Sequence, residues 1–321
     1  MDVRHGSSSR PAGLPGAGVL VFATTAWGSL FLVGKHVIGV LDPVWFTVVR
    51  YALATALLLA LVQCFGQSPW AKLRSNLARL TLLGLAGYGA FSILVFVGLR
   101  LSAPSHGSVL MATMPFTTLS LRWLLDGIRP SPRAVFSAAL ALAGVATVAQ
   151  LLAGSTSATA TSQLGDLITL AGTLGWVFYT RGAASLPDHS PLEYTALTAA
   201  AALPWLAAGA VLATVCGLVA LPSTEVLREL APQLLYVAIV PTVAAALAFN
   251  LGVRRLGASV GTLFLNVVPV SVIAVRAALG APPQASELMG AGLVAMALAL
   301  HAWPARSAPV PGFVRTRCPG V

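Results

Sequence analysis

Long stretches of this chain run for 20 residues or more without Asp, Glu, Lys or Arg, among them 11–34, 51–71, 80–99, 194–224 and 230–253. A helix needs about 20 apolar residues to cross the roughly 30 Å hydrocarbon core of a bilayer. In that core each backbone N–H and C=O must be satisfied by the chain itself, which restricts such runs to helices or a closed barrel. A barrel needs sustained ten-residue alternation of apolar and polar residues, and the sequence has none. The chain reads as an all-α integral membrane protein. Only 9% of its residues are charged and 57% are hydrophobic, where a soluble domain carries roughly 25% charged residues.

Hydropathy divides the chain into ten expected spans, at about 17–39, 43–65, 79–99, 104–125, 133–152, 165–185, 192–219, 232–253, 257–279 and 286–303. Arg4 and Arg10 before the first run suggest a signal peptide, but the run from Ala17 to Gly34 is long for one and no small-residue cleavage site follows. It is read as a retained span. Residues 1–16 and 304–321 are expected to be disordered cytoplasmic tails, and 153–164 a flexible linker. With the N-terminus in the cytoplasm, fourteen Lys and Arg residues fall on the cytoplasmic side and four on the other, with Arg50 inside span 2. The positive-inside rule selects that orientation.

The stretch from Gly98 to Arg122 recurs 154 residues later. Gly98, Arg100, Ser105, Gly107, Pro115 and Arg122 align without a gap on Gly252, Arg254, Ser259, Gly261, Pro269 and Arg276. Pro43, Phe46 and Thr47 likewise align on Pro191, Tyr194 and Thr195, at an offset of 148. Glycine, arginine and proline carry the match, so a shared apolar bias does not account for it. The chain is expected to hold two five-helix repeats, 17–152 and 165–303. Because five is odd, the second repeat enters from the opposite face, and the repeats are inverted.

The net charge of +10 is spread singly or in pairs over span ends, which argues against nucleic acid as a partner. The bilayer and a small-molecule substrate are the partners expected. Cys64, Cys216 and Cys318 are too few and too scattered for a disulfide framework. Neither they nor the five histidines show metal-ligand spacing, and no Walker motif is present. No metal or cofactor is expected.

Several segments resemble the EamA-type family of the drug/metabolite transporter superfamily. They are Ala26-Trp27-Gly28-Ser29, Leu41-Asp42-Pro43 with Phe46 and Arg50-Tyr51, and Gly98 to Ala103 leading to Pro115. In the second copy they are Gly165-Asp166-Leu167 with Trp176 and Tyr179, and Phe249-Asn250 through Ala258. The resemblance covers about 17–303 and implies a small-solute carrier, often an exporter of amino acids or related metabolites. The family's Gly-Glu pairs after the fourth and ninth spans are replaced by Asp126-Gly127-Ile128 and Gly280-Ala281-Pro282.

Polar groups inside a bilayer are costly, so those within spans are candidates for a transport site. Trp27, Tyr88, His106, Met111, Asn250 and Asn266 form the expected substrate-binding set, with Trp176 and Phe249 as further possible walls. The asparagines suit a zwitterion or neutral polar solute, or serve helix–helix hydrogen bonding. His106 is either a proton carrier or an interfacial residue. Pro115 and Pro269 mark a symmetric pair of helix breaks, either gates at a midplane site or packing kinks. Lys35, Arg50, Arg100 and Arg276 are expected near the outer face, as a mouth attracting anions or as separate snorkelling residues. Gly84, Gly87 and Gly89 read as a small-residue contact surface. Arg122 and Asp126, four apart, are expected to pair.

No Asp or Glu falls in the central part of any expected span. An organic cation at the bilayer centre wants a negative partner, so neutral, zwitterionic or anionic substrates are favoured. The leading expectation is a secondary transporter in the cell membrane working by alternating access, not an enzyme. The alternatives are a membrane-embedded enzyme acting on a lipid-linked group and a non-transporting scaffold.

Overall fold

The computed structural model describes residues 13–65, 69–101, 114–148, 160–278, 280 and 282–302, and every regular element among them is helical. Among the described residues six helices are long and apolar enough to cross a membrane: Gly16–Gly34, Pro43–Cys64, Leu77–Leu101, Pro191–Val215, Ala231–Leu256 and Ala258–Val275. Two shorter apolar helices cover Pro132–Gly144 and Leu288–Leu300. Large apolar side chains such as Leu82, Leu124 and Trp205 face outward, a surface that lipid tolerates and water does not.

In chain order the principal helices are α1 (Gly13–Val37), α2 (Pro43–Cys64), α3 (Leu77–Gly84), α4 (Phe91–Leu101), α5 (Met114–Asp126) and α6 (Pro132–Val148). The second half holds α7 (Ala160–Gly182), α8 (Pro191–Val215), α9 (Ala231–Val237), α10 (Ala245–Leu256), α11 (Ala258–Phe264), α12 (Val267–Ala278) and α13 (Ala285–Ala302). Local chemistry sets the starts of α2 and α8. Asp42 caps α2 by accepting from the Val44 N–H, ahead of Pro43 in the first turn. Ser190 caps α8 through a capping box with Glu193, ahead of Pro191.

The copies pack across one another. Helix α1 lies against α10, and α7 lies against α4. Since α4 and α10 start 154 residues apart, these two seams exchange roles between the copies. Helices α2 and α8 pair with each other, as do α6 and α13. The duplicated glycines sit at the two exchanged seams. A Cβ on Gly98 would lie 2.0 Å from Thr169 Oγ1 and 2.6 Å from the Gly165 carbonyl oxygen of α7, and one on Gly252 would lie 2.5 Å from Leu20 Cγ of α1.

A π-helical turn joins α3 to α4 at Leu85–Ala90, and another joins α9 to α10 at Ala238–Ala244. They occupy matching places at the 154-residue offset. In the second turn Pro241 cannot donate to the Val237 carbonyl, and the Thr242 hydroxyl takes that acceptor at 2.6 Å. In the first turn Gly87 stands in that position, because a Cβ there would come within 2.5 Å of the Tyr179 ring.

Several boundaries differ from expectation. Helix α1 begins at Gly13, inside the expected tail 1–16, because Pro15 is accommodated in a first turn. Helix α7 begins at Ala160, inside the expected linker 153–164, since Ala and Gln continue a helix readily. The rest of the linker and tails lies largely outside the described residues. The ninth expected span is interrupted at Leu265–Asn266, between α11 and α12. Pro269 lies four residues beyond Leu265 and withholds the donor that carbonyl would otherwise receive, so Val268 N–H donates to it instead. Pro115 is the second residue of α5, whose preceding segment 102–113 is outside the described residues. Asp126 pairs with Arg181, and Arg122 donates to Ser259 Oγ at 2.7 Å. Partners on neighbouring helices thus replace the expected pair within α5.

Candidate functional site

Trp27 of α1 and Trp176 of α7 stand in corresponding motifs of the two copies, and their indoles meet edge to face with centroids 5.1 Å apart. Phe249 packs against both, at 4.9 and 5.6 Å. The Trp27 indole N–H donates to the Pro241 carbonyl at 2.8 Å, in the second π-turn. This aromatic junction forms part of the wall of a cavity lined by both copies. Its volume open to water-sized molecules is about 50 Å³, above the roughly 10–15 Å³ that a single water needs.

Arg50 is the only charged residue among the described lining residues. It is 2% exposed. Its guanidinium sits 4.6 Å from the centroid of Tyr51, 5.2 Å from Phe46 and 5.5 Å from Phe96. Nη2 donates to Ser92 Oγ at 2.8 Å, and Ser92 also meets the Tyr51 hydroxyl at 3.2 Å. An arginine at the centre of a spanning helix costs about 2.5–3.5 kcal/mol on the insertion scale. Desolvated cation–π contacts return about 2 kcal/mol each, which explains how the nest holds its charge without an acid. Among the described residues Nε finds no acceptor, and neither does the indole N–H of Trp176 in the same wall.

Behind Tyr88 lies a neutral polar network. The Tyr88 and Tyr179 hydroxyls are 2.6 Å apart, and Thr198 Oγ1 donates to Tyr88 at 3.3 Å. Asn250 Nδ2 donates to Tyr179 Oη at 2.9 Å and to Thr195 Oγ1 at 2.7 Å. The tyrosines stack in series, with Tyr51 on Tyr88 at 4.8 Å and Tyr88 on Tyr179 at 5.0 Å. Beyond this network Lys72 Nζ binds Glu193 Oε1 at 2.7 Å and the Asp188 carbonyl at 2.8 Å, while Arg254 donates to the His189 carbonyl at 2.6 Å. Both clamps hold the turn that precedes α8. Burial and the nearby Lys72 ammonium lower the pKa of His189 in that turn.

Of the expected site residues, Trp27 and Tyr88 line the cavity together with Arg50. Arg50 thus lines the cavity, where the rings and Ser92 spare it the need to snorkel. Arg100 remains exposed and binds Asp42 at 3.2 Å. Asn250 and Asn266 are buried but lie outside the described wall. Their Nδ2 groups are engaged within the protein, that of Asn266 by the Leu263 carbonyl at 2.8 Å. His106 and Met111 lie outside the described residues, as do the side chains of Lys35 and Arg276. The sequence reading missed Ser92, Phe46, Phe96 and Thr242 as parts of the site. One signal pointed to the Arg50 nest: a lone arginine inside a span of a chain whose spans have no central acid.

Comparison with known proteins agrees with this architecture. Uncharacterized transporter YrdR of Bacillus subtilis (strain 168) is 27% identical over 294 residues, covering 89% of this chain and 90% of the relative. Uncharacterized transporter YyaM of the same organism is 28% identical over 273 residues, covering 83% and 87%. A crystal structure that is 20% identical shares the fold, with a TM-score of 0.69 over 91% of this chain and 96% of the other. The profile of the EamA-like transporter family matches twice, at 14–150 and 163–303. Two matched copies, packed across each other around a shared cavity, make this chain a multi-pass membrane transporter that belongs to the EamA-like transporter family.

Proposed function

We propose that the chain is a secondary transporter in the cell membrane, exporting a small neutral, zwitterionic or anionic metabolite by alternating access. In this reading ten helices form two inverted five-helix repeats with both termini in the cytoplasm. The carrying observation is the cavity between the copies, which holds a buried guanidinium and no carboxylate among its described lining residues. With cytoplasmic termini, Arg50 stands about two turns from the outer end of α2, and the cavity lies between the midplane and the outer face. The Tyr88 network and the Lys72 and Arg254 clamps close the cytoplasmic side. Transport then requires the clamps to release the start of α8 while the exchanged seams slide, with Pro269 and the π-turns as the places where the helices flex.

The test is efflux from liposomes containing the purified protein and loaded with a mixed pool of small metabolites, read by mass spectrometry. Saturable, protein-dependent loss of one class is expected, with Arg50→Leu abolishing it. Identical efflux from protein-free liposomes across the whole pool would sink the transporter reading. A C-terminal tag accessible from outside intact cells would overturn the orientation.

A further inference from the structure

We infer that the ligand of this cavity is a small monocarboxylate with an uncharged, apolar body, held through its carboxylate by Arg50. This deepens the proposed function and rests on it. Two residues of the wall hold donors that have no acceptor among the described residues: Arg50 Nε and Trp176 Nε1, both buried, in residues only 2% and 5% exposed. The other indole, Trp27, already donates to Pro241. A carboxylate is an acceptor-only group, and the planar guanidinium fork matches it in geometry and charge.

No acid is among the described residues of the wall. Asp42, Asp126 and Glu193 pair with Arg100, Arg181 and Lys72. The internal segments outside the described residues (66–68, 102–113, 149–159, 279 and 281) contain no Asp or Glu in their sequence. The same shortage counts against a zwitterion, whose ammonium finds no carboxylate in the described wall. Apart from Ser92 and Thr242, whose hydroxyls are engaged within the protein, the rest of the lining is aromatic and aliphatic, with Phe91, Val95 and Leu265 among its members. A volume of about 50 Å³ limits the ligand to a small acid.

The test is direct binding to the full-length protein in lipid nanodiscs, followed by tryptophan fluorescence, since Trp27 and Trp176 are both in the wall. The probes are propionate, butyrate and benzoate, their primary amides, and the zwitterion 2-aminobutyrate. The acids are expected to bind at least tenfold tighter than their amides and than the zwitterion. Arg50→Gln is expected to erase the preference for acid over amide. Arg50→Lys is expected to keep the preference at reduced affinity, and melting curves identify the folded variants. Equal binding of acid and amide, tighter binding of the zwitterion, or no acid binding up to about 1 mM, the upper end of ordinary substrate affinities, would overturn the inference. Efflux of a non-acid without acid binding would overturn the carboxylate site and leave the transporter standing. Acid binding with no efflux of any metabolite would do the reverse.

Discussion

Arg50 of α2 and Thr198 of α8 hold the same station in the two copies, 148 residues apart, yet they do opposite things. Arg50 is a charge in a ring of Phe46, Tyr51 and Phe96, open to the cavity. Thr198 is neutral, fully buried, and joined to Tyr88 and the Tyr194 carbonyl. Their surroundings diverge in step: Phe46 corresponds to Tyr194, Phe96 to Asn250 and Ser92 to Ala246. The duplication kept the glycines and prolines that fix where helices touch and bend, and let the side chains between them drift. In the proposed function one half binds and the other seals.

Breaking the sealed station should have the largest effect. Thr198→Arg places an unpaired charge where the Thr198 carbonyl would lie 2.1 Å from a Cβ on Gly84, and a loss of about 3–5 kcal/mol is expected. Loss of a single monodisperse peak in detergent gel filtration checks it; a well-folded variant would mean the two stations are interchangeable. The next effect separates the seams. Gly98→Ala meets backbone as well as side chain, whereas Gly252→Ala meets only the flexible Leu20. Overpacking of about 1–3 kcal/mol is therefore expected at Gly98, with a smaller fall in melting temperature at Gly252.

Asn250 and Arg50, one from each half, sharpen the contrast further. Asn250→Leu strands Tyr179 and Thr195, which it now serves, and should cost about 1–3 kcal/mol. Arg50→Leu should leave the melting temperature level or raise it, because replacing a buried charge by a hydrocarbon is often neutral or stabilising by about 1–4 kcal/mol. A larger stability loss at Arg50 than at Asn250 would contradict the division into binding and sealing halves. The smallest expected effect is at the clamp. His189 has a pKa lowered by burial and Lys72, so the folded state binds fewer protons there than the unfolded chain. Stability should hold above the ordinary histidine value near 6.5 and decline as pH falls through it, by less than about 1.4 kcal/mol per pH unit. His189→Asn should flatten that slope in thermal melts run at stepped pH.

Much of this arrangement was legible in the sequence, for identifiable reasons. Glycine and proline matches at a fixed offset revealed the duplication, and Gly98 and Gly252 prove to sit where the two exchanged seams leave no room for a Cβ. Depth along a span was readable too: Arg50 was placed two turns in. Its direction around the helix was not, because lipid-facing and protein-facing residues of a spanning helix are equally apolar. For that reason Arg50 read as part of a mouth, and Asn250 as part of the wall. The π-turns were hidden for another reason. Gly84, Gly87 and Gly89 announce close packing but not an altered hydrogen-bond spacing, and Pro241 alone announces only a kink.

Those two turns also carry a record of sequence history. A π-turn is commonly a single extra residue lodged in an α-helix, and it is rare, occupying well under 1% of residues in proteins. Finding it at matching places in both copies argues for one ancestral event rather than two. On that argument the extra residue was already present when a single ancestral copy was doubled. Since then one descendant has kept the bulge with small residues and the other with Pro241 and Thr242, so the shape has outlived the letters that first encoded it.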